Sequence, residues 1–201
     1  MRGKAYFAVG NGRRRRGARR CGMRLIVFLG LFFAVALVAG AKNLGNALFE
    51  SDLQAELPAE LQFDRLVIEK QARRLTAYAE GQAVREYHIA LGWAPEGHKQ
   101  VEGDGKTPEG VYFVDGKNPN SRYYKNLGVS YPNDADREAA AALGASPGGD
   151  IKIHGLPAGQ GHLGGVHWMQ DWTAGCIAVS NEEIDELYAR TPVGAAIEIR
   201  P

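Results

Sequence analysis

The sequence predicts a mainly β domain with two short helices, preceded by an apolar N-terminal segment. Apolar residues alternate with polar ones from Asp64 onward, turn residues separate the alternating runs, and a capped helix signal lies near the C-terminus. The chain has 201 residues, of which 45% are hydrophobic and 23% charged, as in globular proteins. This length suits one domain with an added segment, and we see no internal repeat.

The first 41 residues are typical of a targeting segment. Residues 13–20 form a basic run, RRRRGARR, and residues 25–41, LIVFLGLFFAVALVAGA, are apolar and uncharged. Basic residues on the N-terminal side favour a cytoplasmic position for that end, and the closing AGA fits a cleavage site. We therefore predict a basic region at 1–24, in which Met23 is an alternative start, and a signal peptide or membrane anchor at 25–41. A buried core helix is the alternative for the apolar segment.

Residues 42–63 are predicted to be a linker, and residues 64–201 the folded domain. The stretch DRLVIEKQARRLTAYAEGQAVREYHIALG alternates, with turns at 71–73 and 80–82, and this indicates a meander of antiparallel strands. The residues KTPEG then mark a turn before a strand at 111–114.

The second half of the domain alternates between helices and short strands. Residues 134–144 predict a short helix, and residues 151–155, IKIHG, a half-buried strand followed by a glycine-rich loop. CIAV predicts another short strand. Ser180 and Glu183 then form the capping box of a second helix, and AAIEIRP is the last strand.

Cys176 is the one cysteine that remains if the N-terminal segment is removed, since Cys21 is removed with it. An unpaired thiol in an exported protein is a candidate reactive group, and a buried, inert cysteine is the alternative. A cysteine nucleophile needs a thiolate, a base and donors for an oxyanion. Gly175, directly before it, leaves room for a bound carbonyl group, and the backbone N–H groups of Gly175 and Cys176 are candidate oxyanion donors.

His154 is the candidate base, because it ends a predicted strand and is followed by a glycine. A thiolate and an imidazolium would stabilise each other. The other histidines have less specific settings. His162 and His167 are expected to be solvated in the glycine-rich loop, His88 to be structural, and His98 to face solvent.

The residues IHG, followed about twenty residues later by TAGCIAV, resemble the catalytic signature of the L,D-transpeptidases, the YkuD-type domain of bacterial cell-wall enzymes. KTPEG, NLGVSYPN and DWTAGCIAVSNEEIDELY also resemble segments of that domain, so the resemblance covers about 66–201. It implies a YkuD-like β-sandwich or barrel-like catalytic domain. It also implies a location in the periplasm or on the outer face of the cytoplasmic membrane.

The resemblance implies a peptidoglycan L,D-transpeptidase without a cofactor or metal. Cys176 would form a thioester with the diaminopimelate carbonyl of a stem tetrapeptide, release D-Ala and transfer the acyl group to an amine. The acceptor would be a second stem peptide or a wall-attached protein. His154 would be proton acceptor and then donor, oriented by the carbonyl of Gly155, with Gly175 at the oxyanion. Nucleic acid is not an expected partner, and the membrane is one only through the N-terminal segment.

The motif differs from its commonest form, which has histidine before the glycine and a polar residue two positions after the cysteine. Here Ala174 and Ala178 occupy those places, while the nucleophile and the base are intact. Candidate substrate-binding residues, each with a structural role as the alternative, are Arg122, Tyr131, Asp171, Trp172 and Thr173.

Three other functions fit the same residues. A hydrolase acting on the same bond type, either an L,D-carboxypeptidase or an amidase that releases wall-linked protein, would use the same pair. A zinc site would use His154, His162, His167 and Cys176. A non-catalytic wall-binding domain would leave Cys176 inert.

Overall fold

The computed structural model describes residues 56–201. The predictions for 1–24 and 25–41, and for the linker as far as 55, lie outside the described residues. Among residues 56–201, no helix has both the length and the apolar character that a membrane crossing requires.

The described chain is mainly β with two helices, as the sequence predicts. Short 3-10 turns occur in the glycine-rich segment between β6 and β7. The strands are β1 (Arg65–Glu69), β2 (Arg74–Ala79), β3 (Gln82–His88), β4 (Gly110–Ser121), β5 (Tyr124–Val129), β6 (Lys152–His154), β7 (Ile177–Ala178) and β8 (Ala196–Arg200), and the helices are α1 (Asp134–Ala142) and α2 (Asn181–Arg190).

The strands form one eight-stranded sheet in the order β3-β2-β1-β8-β4-β5-β6-β7. The pairs β1–β8 and β6–β7 are parallel, and the others are antiparallel. Just beyond β3, Ala90 pairs with Ala178 of β7 through two backbone hydrogen bonds of 3.0 and 2.8 Å. The two edges of the sheet therefore meet, and the predicted barrel-like architecture is confirmed.

The core lies inside this curled sheet and under α2. Alternation along β1 and β8 directs Leu66 and Ile197 inward, where both are fully buried. Ile184 and Leu187, three residues apart on α2, cover the same core. The predicted capping box of α2 is present: the Ser180 hydroxyl accepts the Glu183 N–H, and the Glu183 carboxylate accepts the Ser180 N–H.

The hairpin of β4 and β5 is longer than the sequence indicates. The predicted strand covered residues 111–114, whereas β4 continues to Ser121 and β5 returns along it. The added part, GKNPNS, is polar, partly exposed and contains Pro119, so it has no alternating apolar pattern. Its tip carries Arg122 and Tyr123, which lie near the candidate site described below.

The residues just before β1, which the sequence assigns to the linker, pack on the domain. Phe63 is fully buried, and its N–H donates to the carbonyl of Arg190 at 2.8 Å. The Arg190 guanidinium donates to the carbonyl of Pro58 at 2.6 Å. Leu57 and Leu61 also contact the core. The folded unit therefore includes residues 57–63.

A buried ion pair orders the loop between β3 and β4. The ammonium group of Lys99 donates to Asp104 at 2.9 Å, and the side chains of both residues are largely buried. Asp104 also accepts the backbone N–H groups of Gln100, Val101 and Lys106. Burial alone would raise the pKa of Asp104, but the Lys99 hydrogen bond and these three donors lower it to about 2.

We predict that Asp104→Asn lowers the free energy of unfolding by about 2–3 kcal/mol at pH 7, because it leaves Lys99 buried without a counter-charge. The pKa of Asp104 is about 2 in the folded protein, against an ordinary value of 3.8. The carboxylate therefore contributes stability above about pH 4 that is lost as the pH falls towards 2. Urea denaturation of both proteins between pH 2 and 7 measures this. A difference independent of pH would contradict it.

Candidate active site

The parallel pair β6–β7 brings the two principal candidate residues together. Ile153 is opposite Ile177, and His154 is opposite Ala178. Residues opposite each other point to the same face, and so do residues two apart along one strand. Cys176 directly precedes β7, and the register continued by one residue places it opposite Lys152, on the face that also carries His154.

A threonine holds the turn that presents Cys176. The Thr173 hydroxyl donates to the carbonyl of Cys176 at 2.7 Å and accepts the Gly175 N–H at 3.1 Å. Gly175 has φ +134°, and a Cβ there would lie 2.7 Å from the carbonyl oxygen of Lys106. Only glycine fits this position without moving the backbone. The backbone of Thr173 is itself bonded to Leu91, which follows β3.

Of the two predicted oxyanion donors, Gly175 and Cys176, one is already engaged in this structure. The N–H of Gly175 is committed to the Thr173 hydroxyl in a buried hydrogen bond. The N–H of Cys176 has no hydrogen-bond acceptor within residues 56–201. The Thr173 hydroxyl closes the turn by accepting the Gly175 N–H, so this N–H cannot also donate to a bound substrate. The Cys176 N–H is therefore the predicted donor that remains free among the described residues.

The thiol of Cys176 is neutral at pH 7. It is partly buried, and its Sγ donates to the carbonyl of Asp150 at 3.6 Å. Burial raises the pKa of Cys176 above its ordinary value, and the Asp150 carboxylate acts in the same direction. The backbone N–H and the charge of Lys152 act against this rise without reversing it.

His154 is neutral as well. It is 3% exposed, and its Nδ1 lies 2.7 Å from the carbonyl oxygen of Gly155. A carbonyl only accepts, so Nδ1 carries the proton and Nε2 is left with a free lone pair. Burial lowers the pKa of His154, and the Gly155 carbonyl opposes this only in part. Burial therefore disfavours both charges of the expected thiolate–imidazolium pair.

Two aromatic side chains fix the imidazole ring. Tyr123 stacks on His154 with ring centroids 4.5 Å apart and planes at 30°. The Trp172 ring lies 5.8 Å away, edge to face at 63°. Trp172 therefore borders the candidate base. The sequence analysis did not identify Tyr123. The one feature that could have indicated it is the aromatic pair YY in a polar stretch.

Two candidate substrate-binding residues are held inside the fold. Asp171 forms an ion pair with Arg73 at 2.6 Å and accepts the N–H of Leu91 at 2.9 Å, which fixes the chain before the site. Tyr131 is buried in the core, and its hydroxyl donates to the carbonyl of Pro147 at 2.9 Å. Both interactions are structural, and neither side chain has a free polar group facing the site.

Three of the other histidines differ from expectation. His88, expected to be structural, is exposed and stacks on Trp168 with centroids 4.8 Å apart. His98 is partly buried and accepts the Glu109 N–H at 2.9 Å. His167 is 8% exposed, so it is buried within the loop that was expected to be solvated.

The residues proposed for a zinc site are not assembled. Within residues 56–201, no group of three or more histidine, cysteine, aspartate or glutamate side chains is arranged to hold a metal ion. His162 is exposed, whereas His154 and His167 are buried in separate segments.

A curled sheet that presents a cysteine beside a buried, neutral histidine defines a candidate thiol-dependent acyl-transfer domain. The chain belongs to the YkuD family, the L,D-transpeptidase catalytic domain, whose model matches residues 64–199. Both the resemblance and the fold class expected from it are therefore confirmed.

Individual relatives agree with this assignment. A protein of Escherichia coli K12, provisionally named L,D-transpeptidase YafK, is 29% identical over 174 residues. The match covers 83% of this chain but only 63% of the relative's length. The K307A mutant structure of Pgp2, the helical cell shape determining protein of Campylobacter jejuni, is 26% identical with a TM-score of 0.51. That match covers 70% of this chain and 48% of the other.

Thr173→Val is predicted to lower the free energy of unfolding by about 1–3 kcal/mol and to impair the reactivity of Cys176. The substitution leaves the buried Gly175 N–H without an acceptor and the Cys176 carbonyl without its hydroxyl donor. Thr173→Ser keeps the hydroxyl and is the matched control. Thermal unfolding and the rate of thiol alkylation measure both effects. Equal behaviour of the valine and serine variants would show that the hydroxyl does not hold this turn.

We predict that Cys176 reacts slowly with iodoacetamide at pH 7 and that its rate still rises above pH 9, because burial raises the pKa of the thiol. The experiment uses the full chain with Cys21→Ser, so that Cys176 is the one thiol present. The same protein in denaturant is the control and should titrate near the ordinary cysteine value of about 8.5. A rate that reaches its plateau near neutral pH would instead indicate a thiolate–imidazolium pair.

Proposed function

We propose that this protein is a peptidoglycan L,D-transpeptidase that uses Cys176 as its nucleophile and His154 as its proton acceptor and donor. The proposal rests on the register of β6 and β7, which places the two residues on one face. It also rests on the Nδ1 hydrogen bond of His154, which leaves Nε2 as a proton acceptor. The family assignment supports the reaction class. The substrate is a stem tetrapeptide, and the reacting carbonyl is that of diaminopimelate.

In the first half-reaction, Nε2 of His154 takes the thiol proton as the sulfur attacks the carbonyl carbon. Because both groups start neutral, charge develops only during this step. The negative charge on the carbonyl oxygen is stabilised by the N–H of Cys176. The C–N bond to D-Ala then breaks, and the proton passes from the imidazolium to the leaving amine. A thioester on Cys176 remains.

In the second half-reaction, an amine attacks the thioester. Neutral His154 accepts a proton from this amine and returns it to the departing sulfur, which restores the thiol. The product is a new amide, and its formation needs no ATP because the thioester retains the acyl-transfer potential of the first bond. The acceptor amine belongs to a second stem peptide or to a wall-attached protein.

Water as the acceptor would make the same site a hydrolase, and this is the second candidate function. An L,D-carboxypeptidase or an amidase that releases wall-linked protein would use the same cysteine and histidine. One similar protein is named for helical cell shape, and that name does not specify a transpeptidase. Hydrolysis is therefore kept as the alternative reaction. The chain also spans only part of its relatives, so a whole-protein activity is not transferred from them.

The proposed location is outside the cytoplasmic membrane, in the periplasm or on its outer face. Residues 25–41 would direct export or anchor the chain, and the stem peptides are found in that compartment. The membrane would be a partner only through this segment.

The test incubates the protein, and separately its Cys176→Ala variant, with a diaminopimelate-containing tetrapeptide muropeptide. We expect the wild type alone to give a cross-linked dimer that has lost one D-Ala, detected by mass spectrometry. A His154→Gln variant is expected to lose at least about a hundredfold in rate, the usual contribution of a general base.

The other products would distinguish the alternatives. Loss of D-Ala with gain of water, again only in wild type, would identify a carboxypeptidase. No change with either protein would contradict action on this bond, and a peptidoglycan preparation with attached protein would then test for an amidase.

A further inference from the structure

The thiol of Cys176 is held by the chain just before β6 rather than by the histidine. Its Sγ donates to the carbonyl of Asp150 at 3.6 Å. Within residues 56–201 it makes no hydrogen bond to His154. Transfer of the thiol proton to Nε2 of His154 therefore requires that the thiol first leave the Asp150 carbonyl.

Asp150 has an uncommon backbone conformation at this contact. Its φ is +60°, and it is one of four residues other than glycine that have a positive φ within the described chain. Aspartate and asparagine adopt this left-handed region more readily than most residues with a side chain. Such backbone costs free energy and is found at functional sites more often than elsewhere. At Asp150 it accompanies the carbonyl that accepts the thiol hydrogen.

The side chain of Asp150 forms an ion pair beside the same sulfur. Its carboxylate lies 2.7 Å from the ammonium group of Lys152, and the two side chains are 87% and 30% exposed. The register of β6 and β7, continued by one residue, places Cys176 opposite Lys152. Burial is the main cause of the raised pKa of Cys176. The Asp150 carboxylate adds to this rise, and the backbone N–H and the charge of Lys152 oppose it.

The other ionisable groups that face the sulfur are already engaged. The charge of Lys99, in the loop between β3 and β4, also lowers the pKa of the thiol. Its ammonium group is buried and bonded to Asp104 at 2.9 Å. On β6, burial disfavours the charged form of His154. The pair of Asp150 and Lys152 therefore supplies the exposed charges next to the thiol.

We propose that Asp150 is a positioning residue for the nucleophile, whose carbonyl holds the Cys176 thiol and whose carboxylate keeps this thiol protonated. The carboxylate does so directly, and also by pairing with Lys152, which is then not free to stabilise a thiolate. The thiol leaves the carbonyl when it passes its proton to His154. The role of Cys176 as nucleophile rests on the proposed function, whereas the state of its sulfur can be measured without a substrate.

The test measures the rate of alkylation by iodoacetamide, a neutral reagent, against pH in the full chain with Cys21→Ser. Asp150→Asn removes the negative charge and keeps a residue that tolerates the left-handed backbone. We expect its profile to move to lower pH, with a rate at pH 7 about twofold higher, the effect of one exposed charge pair. Lys152→Gln should move the profile to higher pH, with a rate about twofold lower.

These two variants break the same ion pair, so a purely structural role would change both profiles in the same direction. Opposite shifts support the proposal. Shifts in the same direction, or no shift with Asp150→Asn, would overturn it.

Two further variants control for the backbone and for the loss of a surface charge. Asp150→Gly also tolerates a positive φ and should match Asp150→Asn. A different profile would show that the asparagine side chain, rather than the lost charge, acts on the thiol, and would overturn the proposal. Asp134→Asn breaks the exposed ion pair with Arg137 on α1 and should leave the profile unchanged.

Conversion of the muropeptide tests the proposed function separately. If wild type converts no muropeptide but the alkylation profiles shift in opposite directions, the proposed function fails, while the hold of Asp150 on the thiol stands. If wild type is active and Asp150→Asn leaves the profile unchanged, the function stands and the role of Asp150 is overturned.

Discussion

The parallel register of β6 and β7 is the constraint on which the site depends. Only two residue pairs define it, and a shift by one residue would turn Cys176 away from His154. Such a short pairing is not stable alone. It is held by the bonds between Ala90 and Ala178, which join β7 to the far edge of the sheet, and by the capped helix α2 that follows directly. Closure of the barrel is therefore also what aligns the site.

Burial gives this site its resting state. It raises the pKa of the thiol and lowers that of the imidazole, so the pair is neutral. A neutral cysteine is a weaker nucleophile than a thiolate, but it also reacts less with stray electrophiles. In the proposed reaction, proton transfer would be coupled to attack on a bound carbonyl, and the Cys176 N–H would stabilise the new charge. The Tyr123 and Trp172 rings keep the imidazole in the required orientation without adding a charge that would shift its pKa.

Much of the fold follows from local sequence pattern, because alternation, turn residues and caps act over a few residues. The meander β1–β3, the helix capped by Ser180 and the last strand were predicted on that basis. The candidate residues Cys176 and His154 were identified from the IHG and TAGCIAV motifs. Side-chain contacts were not predictable: the Gly175 and Cys176 amides were both assigned to the oxyanion, although the Thr173 hydroxyl accepts the Gly175 N–H. Likewise, no pattern indicated that Asp171 would pair with Arg73, 98 residues away.

The hairpin β4–β5 is the element that the sequence predicts least well, and its tip lies close to the site. Its outer half has polar residues on both faces, since it extends beyond the core, and so it lacks the alternation that identifies a strand. Its position comes instead from α2: Lys117 donates to the carbonyls of Tyr188 and Thr191, and Lys125 pairs with Asp185. Anchored in this way, one turn supplies both the Tyr123 ring on His154 and the free guanidinium of Arg122. A change in this turn would therefore alter the packing on the candidate base His154.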